Sequence, residues 1–253
     1  MDQSRIYRFD ERRMIALPGT HDETIDFCVK HLIYVGQLAI EQKGSFFVAL
    51  SGGSTPKKIF EKLTSPKFRD SLAWSNVFLY WSDERSVGPD DPDSNYKMAM
   101  DSGFSKLHIP KEQIFRMKAE SNIEKHAKEY QELIQKKLQN KGFDLIMLGM
   151  GDDGHTASLF PKTEALSITD RWVVANKVPQ KSTTRMTFTY PLINKAENIV
   201  FYVMGSKKSQ QIYNVLTDKN HTYPSSKVGT KEHNATFILD EEASKELLKH
   251  WNP

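Results

Sequence analysis

With Cys28 as its only cysteine, the 253-residue chain has no partner for an internal disulfide and no means of building a cysteine-rich metal cluster. That usage suits a reducing compartment, and Cys28 falls in a helix-period stretch where a small apolar residue fits a core. No apolar run approaches the ~18 residues a membrane span needs; the longest, such as Phe46-Phe47-Val48-Ala49-Leu50, are strand-sized. The opening Met1-Asp2-Gln3-Ser4-Arg5 lacks a basic end followed by an apolar stretch, so no secretory leader is expected and the cytoplasm is the expected location. An excess of one charge is missing too. Thirty-five Lys and Arg against 32 Asp and Glu leave a net +3, with the signs mixed along the chain. This gives no basic face for bulk nucleic acid, though a mild positive balance suits a small anionic substrate. Repeats, low-complexity blocks and Gly/Ser linkers are absent as well, and Asp90-Asp91-Pro92-Asp93 reads as a loop. Residues 1–253 are therefore expected to form a single domain.

What the chain does contain is an alternation. Six short apolar segments read as buried strands: Phe46–Leu50, Val77–Trp81, Phe143–Leu148, Trp172–Ala175, Ile199–Met204 and Ala235–Leu239. They are nearly continuous runs, the pattern of strands covered on both faces. Between them lie helix-period stretches. Residues 23–42 place Ile25, Cys28, Val29, Leu32 and Val35 at spacings of three and four, and residues 123–138 carry a charged face with pairs such as Glu124 and Lys128. Further helices are expected over 56–63, 96–104, 206–216 and 241–251. The alternation predicts a doubly wound α/β fold, with a largely parallel sheet and helices on both faces. Such sheets bind ligands beyond the carboxyl ends of their strands, so the loops there carry most information about function.

Four of those loops are unusual. The first strand runs into Ser51-Gly52-Gly53-Ser54-Thr55-Pro56, two glycines for a tight turn followed by helix-start residues whose backbone N–H groups attract an anion. It is not a Walker loop, because no Gly-Lys-Ser/Thr follows. The second ends in Ser82-Asp83-Glu84-Arg85, three charges beyond a buried strand; Arg85 could grip a phosphate through its planar fork of donors. An ion-paired loop is the alternative for this segment. The third strand enters Gly149-Met150-Gly151-Asp152-Asp153-Gly154-His155-Thr156-Ala157-Ser158. This stretch formally contains G-x-G-x-x-G, but Asp152 and Asp153 would set two carboxylates where a dinucleotide's pyrophosphate should rest. The acid at the expected spacing, Asp170, precedes the next strand rather than ending it. The loop offers instead an imidazole among glycines, with Asp153 two residues earlier to orient His155 and support its charged form, as general-base catalysis needs. Gly151 and Gly154 leave room for a substrate or present N–H groups. The fourth group comprises Arg185 and Gly205-Ser206-Lys207-Lys208. A lysine in a helix's first turn opposes the helix dipole, which gives Lys208 an electrostatic reason to serve a bound anion.

Together these blocks, with Asp93-Ser94-Asn95-Tyr96, Leu159-Phe160-Pro161 and Arg185-Met186-Thr187-Phe188-Thr189, resemble the 6-phosphogluconolactonase family across nearly the whole chain. Asp152 stands where relatives often carry proline, and Ser209 where they often carry alanine. The resemblance implies an α/β sheet fold, Rossmann-like, shared with sugar-phosphate isomerases and with glucosamine-6-phosphate deaminase. It also implies hydrolysis of 6-phospho-D-glucono-1,5-lactone, with His155 as base and Asp153 as its support. Arg85 and Lys208 are then expected at the 6-phosphate or near it, with Arg185 as a third cation; Asp83, Gly151 and the turn Ser51, Gly52, Gly53, Ser54 and Thr55 are expected to line the substrate site. The deaminase is the close alternative. Its motif carries tyrosine where Arg85 stands and a glutamate five residues after the histidine, where this chain has Phe160. A sugar-phosphate sensor on the same fold is a non-enzymatic alternative. No metal or other cofactor is expected, since a neutral imidazole suffices for a lactone and the chain has no HExxH or Cys/His cluster. The expected partner is the small sugar-phosphate lactone alone, with no nucleic acid and no membrane, for a monomer or weak homo-oligomer.

Overall fold

A computed structural model describes residues 5–253; Met1–Ser4, the start of the stretch read for a leader, lie outside the described residues. In chain order the elements are β1 (Ile6–Arg8), β2 (Arg13–Gly19), α1 (His21–Lys43), β3 (Phe46–Leu50), α2 (Ser54–Leu63), β4 (Val77–Trp81), β5 (Asp83–Arg85), α3 (Asn95–Asp101) and α4 (Ile123–Leu138). They continue with β6 (Leu145–Leu148), β7 (Val173–Val178), β8 (Thr183–Phe188), α5 (Tyr190–Ile193), β9 (Ile199–Val203), α6 (Ser209–Thr217), β10 (Ala235–Asp240) and α7 (Glu241–Leu248).

Seven strands form one sheet in the order β1-β2-β10-β9-β6-β3-β4, parallel except where β1 runs against β2. Its centre is apolar throughout: every residue of β6 and of β9 is buried, as two covered faces require. Rings fill the layer. Phe201 stacks on Phe237 at 4.3 Å, and Tyr80 packs on Phe115 at 4.8 Å and on Phe143 at 5.1 Å. Each buried ring of this kind contributes about 1.5–3 kcal/mol. Helix α1 begins at a capping box, in which the Thr20 N–H donates to Glu23 Oε2 at 2.8 Å, and it ends at Gly44 with φ 74°. The face at three-and-four spacing, Ile25, Cys28, Val29, Leu32 and Val35, is buried as its pattern predicts, and burial pushes the Cys28 thiol well up. Among the described residues, no helix is long and apolar enough to cross a membrane.

The structure adds β1, β2, β5 and β8 to the six expected strands and moves one of the six out of the parallel sheet. The run around Trp172–Ala175 does not join the parallel sheet: Val173–Val178 pairs antiparallel with β8 in a separate three-stranded sheet, β5-β8-β7. Ser82 is the point where the chain passes from one sheet to the other. Its N–H donates to Leu50 O of β3 at 2.9 Å, and its own carbonyl accepts the Phe188 N–H of β8 at 2.9 Å. The chain thus leaves the central sheet within one residue and carries Asp83, Glu84 and Arg85 into the small one. The connections also reverse direction at β3, with β4 on one side of it and β6 on the other. A crevice opens at the carboxyl ends of strands where the order reverses in this way. The loops after β3 and β6 therefore face one another; a methyl group added to Gly149 would stand 3.8 Å from Ser51 Oγ.

Candidate active site

At the end of β3, Gly52 is compelled by a close approach. A methyl group there would stand 1.8 Å from the Asn95 side-chain oxygen. Gly53, with φ 106°, then turns the chain into α2 without a capping side chain, so the first-turn N–H groups of the helix lack that partner.

Beyond Ser82, Glu84 fastens α3 to the small sheet. Its Oε1 accepts the N–H groups of Asn95 at 2.8 Å and Arg85 at 2.9 Å, while Oε2 accepts Tyr96 N–H at 2.9 Å and the Ser94 hydroxyl at 3.0 Å. Burial pushes the Glu84 carboxyl up, against the downward pull of those N–H donors. Asp83 ties three segments together: it accepts the Ser158 hydroxyl at 2.7 Å, and Asn95 Nδ2 donates to its backbone oxygen at 2.9 Å. Arg85 is placed directly opposite Arg185 in the β5–β8 register. Like charges at facing positions of an antiparallel pair repel. Each guanidinium also has a buried Nε with no hydrogen-bond partner among the described residues. Burial pulls Arg185 below its ordinary value, Asp83 opposing and Arg85 reinforcing that shift. Two facing cations with donors unused are relieved by an anion between them.

The loop after β6 is drawn tight by its own backbone, Gly151 N–H donating to His155 O at 2.9 Å and Gly154 N–H to Gly151 O at 3.0 Å. This turn sets His155 Nδ1 2.6 Å from Asp153 Oδ1, the same oxygen that accepts the His155 backbone N–H at 3.1 Å. Partial burial pushes the Asp153 carboxyl up, but hydrogen bonding and charge from His155 outweigh it and hold Asp153 below the usual carboxylate range. Nδ1 is thereby engaged, which leaves Nε2 as the nitrogen for chemistry. The imidazole lies stacked on Phe160, ring centroids 4.0 Å apart. Gly151 approaches the same imidazole so closely that a methyl group on it would stand 2.0 Å from Nδ1. Ala157 follows in the left-handed region at φ 47°, a conformation costing roughly 1 kcal/mol or more in a residue with a side chain. At the end of β9, Gly205 leads to Lys208, whose ammonium pairs with Asp152 and holds that carboxyl low.

These loops enclose a cavity of about 260 Å³. Ser51, Gly52, Gly53, Ser54, Thr55, Asp83, Arg85, Gly151, His155, Arg185 and Lys208, all singled out in the sequence, line it. Asp153 is not in the wall; it stands behind His155, on Nδ1. Asn95, Ala157, the β9 residues Tyr202 and Val203 and Met204 just beyond them also line the cavity, although the sequence did not single them out for it. Asn95 had a signal in the Asp93-Ser94-Asn95-Tyr96 block, whereas Tyr202 and Val203 read as ordinary strand. A larger cavity of about 870 Å³ beside Tyr96, Phe104 and Phe115 contains none of the residues expected to bind substrate or to act in catalysis. Among the described residues, no three His, Cys, Asp or Glu side chains are grouped so as to hold a metal ion.

Known proteins share both this sequence pattern and this fold. A family model described as glucosamine-6-phosphate isomerases/6-phosphogluconolactonase matches residues 19–238. A 6-phosphogluconolactonase of Chlamydia pneumoniae is 39% identical over 241 residues, which is 94% of this chain and 92% of that protein. The crystal structure of 6-phosphogluconolactonase from Thermotoga maritima superposes with a TM-score of 0.78 at 28% identity, covering 90% of this chain and 100% of that one. A monomeric glucosamine-6-phosphate deaminase, 19% identical with a TM-score of 0.77 over 92% of this chain and 99% of its own, shares the fold. The chain belongs to the glucosamine-6-phosphate isomerase/6-phosphogluconolactonase family.

Proposed function

We propose that this protein hydrolyses 6-phospho-D-glucono-1,5-lactone to 6-phospho-D-gluconate, the lactone-opening step of the oxidative pentose phosphate pathway. The observation that carries the reading is one cavity holding both a carboxylate-supported imidazole, His155 on Asp153, and two facing arginines with unused donors, Arg85 and Arg185. Such a site suits a molecule with a reactive carbonyl and an anionic tail. The names of the relatives point to the same substrate.

In the proposed reaction, Nε2 of neutral His155 takes a proton from water as the water oxygen bonds to C1 of the lactone. The carbonyl electron pair moves onto oxygen and gives a tetrahedral anion. When that pair returns, the bond from C1 to the ring oxygen breaks, and the His155 imidazolium donates its proton to the departing oxygen. The product acid then ionises in solution. Proton transfer of this kind contributes on the order of 10²–10⁴ in rate. Asp153 keeps Nδ1 as the protonated nitrogen and stabilises the imidazolium. Arg85 and Arg185 hold the 6-phosphate, joined by Lys208, which trades Asp152 for the phosphate. The turn Ser51–Thr55 contacts the sugar or the oxyanion with backbone N–H groups, and Gly151, whose N–H is taken by His155 O, lines the space beside the imidazole. No cofactor enters the scheme. We propose that the chain works in the cytoplasm as a single domain, monomeric or weakly self-associated.

Support for lactonase over deaminase chemistry comes from Phe160, a hydrocarbon ring at the position five residues after His155, where the deaminase motif has a carboxylate. The test is to follow acid release from freshly generated lactone above its spontaneous hydrolysis, in parallel with ammonia release from glucosamine 6-phosphate. Catalysed acid release with no ammonia is expected. Ammonia release would establish the deaminase, and inactivity on both with tight sugar-phosphate binding would establish a sensor.

A further inference from the structure

Phe160 is 1% exposed, deep enough to be taken for a plain core residue. Its ring nevertheless meets two groups of the active site. One face carries the His155 imidazole, centroids 4.0 Å apart and planes inclined by 22°. The Arg185 guanidinium carbon lies 5.6 Å from the centroid of the same ring. A residue absent from the cavity wall thus touches both the proposed base and one of the proposed phosphate-binding cations.

From these contacts we infer that Phe160 is a positioning residue for His155, an inference that rests on the proposed general-base role. Asp153 alone does not hold the ring still. One hydrogen bond at Nδ1 fixes a point on the imidazole edge, and the ring can still swing about that point, carrying Nε2 through an arc. A flat apolar surface in van der Waals contact with the ring face removes the swing. Gly151 closes on the same imidazole near Nδ1 and Cε1, where there is no space for a methyl group. Edge and face together set the direction of Nε2, and a general base must point at its proton to within hydrogen-bond geometry. Phe160 acts on the chemical step without touching the substrate. The nearer contact is with His155 and the looser one with Arg185, so its loss weighs more on kcat than on KM.

Phe160→Leu keeps an apolar floor but removes the flat surface. Its kcat is expected to fall about tenfold or more, with KM changed less than threefold and the thermal transition still cooperative. In a His155→Ala background the same substitution should leave the residual rate unchanged, because the ring it positions is gone; a merely structural role would lower both backgrounds alike. If Phe160→Leu does not fold, Phe160→Met is volume-conserving and carries the same measurements. A folded variant with kcat within twofold of the parent overturns the inference, and so does an equal loss in both backgrounds. Failure of the underlying reading is distinguishable, since His155→Ala would then itself retain full activity.

Discussion

Gly151→Ala acts directly on the packing around the His155–Asp153 pair. Gly151 is not among the residues with positive φ, so alanine meets no backbone barrier there. Its N–H bond to His155 O is also compatible with any L-residue. The obstacle is the His155–Asp153 pair: the new methyl group would stand 2.0 Å from His155 Nδ1, 2.1 Å from Cε1 and 2.9 Å from Asp153 Oδ1. Carbon and nitrogen in ordinary contact sit about 3.5 Å apart, so the ring has to retreat by roughly 1.5 Å. A displacement of about 1 Å at a reacting group can cost on the order of 10² in rate, about 2.7 kcal/mol of transition-state stabilisation. Initial rates of acid release, corrected for spontaneous lactone hydrolysis, should show kcat down by about that factor. KM should stay within a few-fold, because Arg85 and Arg185 are untouched, and the melting temperature should move little. A kcat within threefold of wild type would refute the geometry proposed for His155, since the ring would then be tolerating a shift that general-base catalysis does not.

Arg185→Ala removes a half-buried charged donor worth about 1.5–3 kcal/mol, so KM is expected to rise roughly 10- to 150-fold in steady-state kinetics, with a smaller change in kcat. Lys208→Ala should raise KM less, because its ammonium already has Asp152 and must exchange it; a larger KM effect than that of Arg185→Ala would reverse this ranking. Asp153, held below the ordinary carboxylate range, contributes stability that is present above its unfolded value and is lost as pH falls through its depressed folded value. The gap in melting temperature between wild type and Asp153→Asn should therefore narrow on acidification through that range, and a gap that widens would contradict the pairing with His155.

What could be read in the sequence follows from where burial speaks clearly. Phe46–Leu50, Val77–Trp81 and the helix over 123–138 coincide with β3, β4 and α4, because a strand covered on both faces and a helix with one buried stripe each leave a pattern in composition. Strand β5 consists of Asp83, Glu84 and Arg85 and carries no such pattern. It exists because Ser82 passes the chain to β8, a long-range pairing that local sequence does not encode. Strand β8 is mostly polar, Thr183-Thr184-Arg185 before Met186-Thr187-Phe188, and is likewise held by long-range pairing. Most residues that line the cavity were legible because charges and glycines at strand ends are conspicuous. The facing of Arg85 and Arg185 across one register was not, since 100 positions separate them in the chain and only the small sheet brings them together. Phe160 stood out in the sequence only as a missing carboxylate; the contact of its ring with His155 emerges from the fold.

The most direct test is the turnover of His155→Ala on freshly generated 6-phosphogluconolactone, measured at saturating substrate beside the wild-type protein. Its kcat is expected to fall by a factor on the order of 10² or more while KM stays within threefold, as befits a residue that moves the proton and does not hold the substrate. A variant turning over at the wild-type rate, or one whose entire defect lies in KM, would contradict the role given to this imidazole.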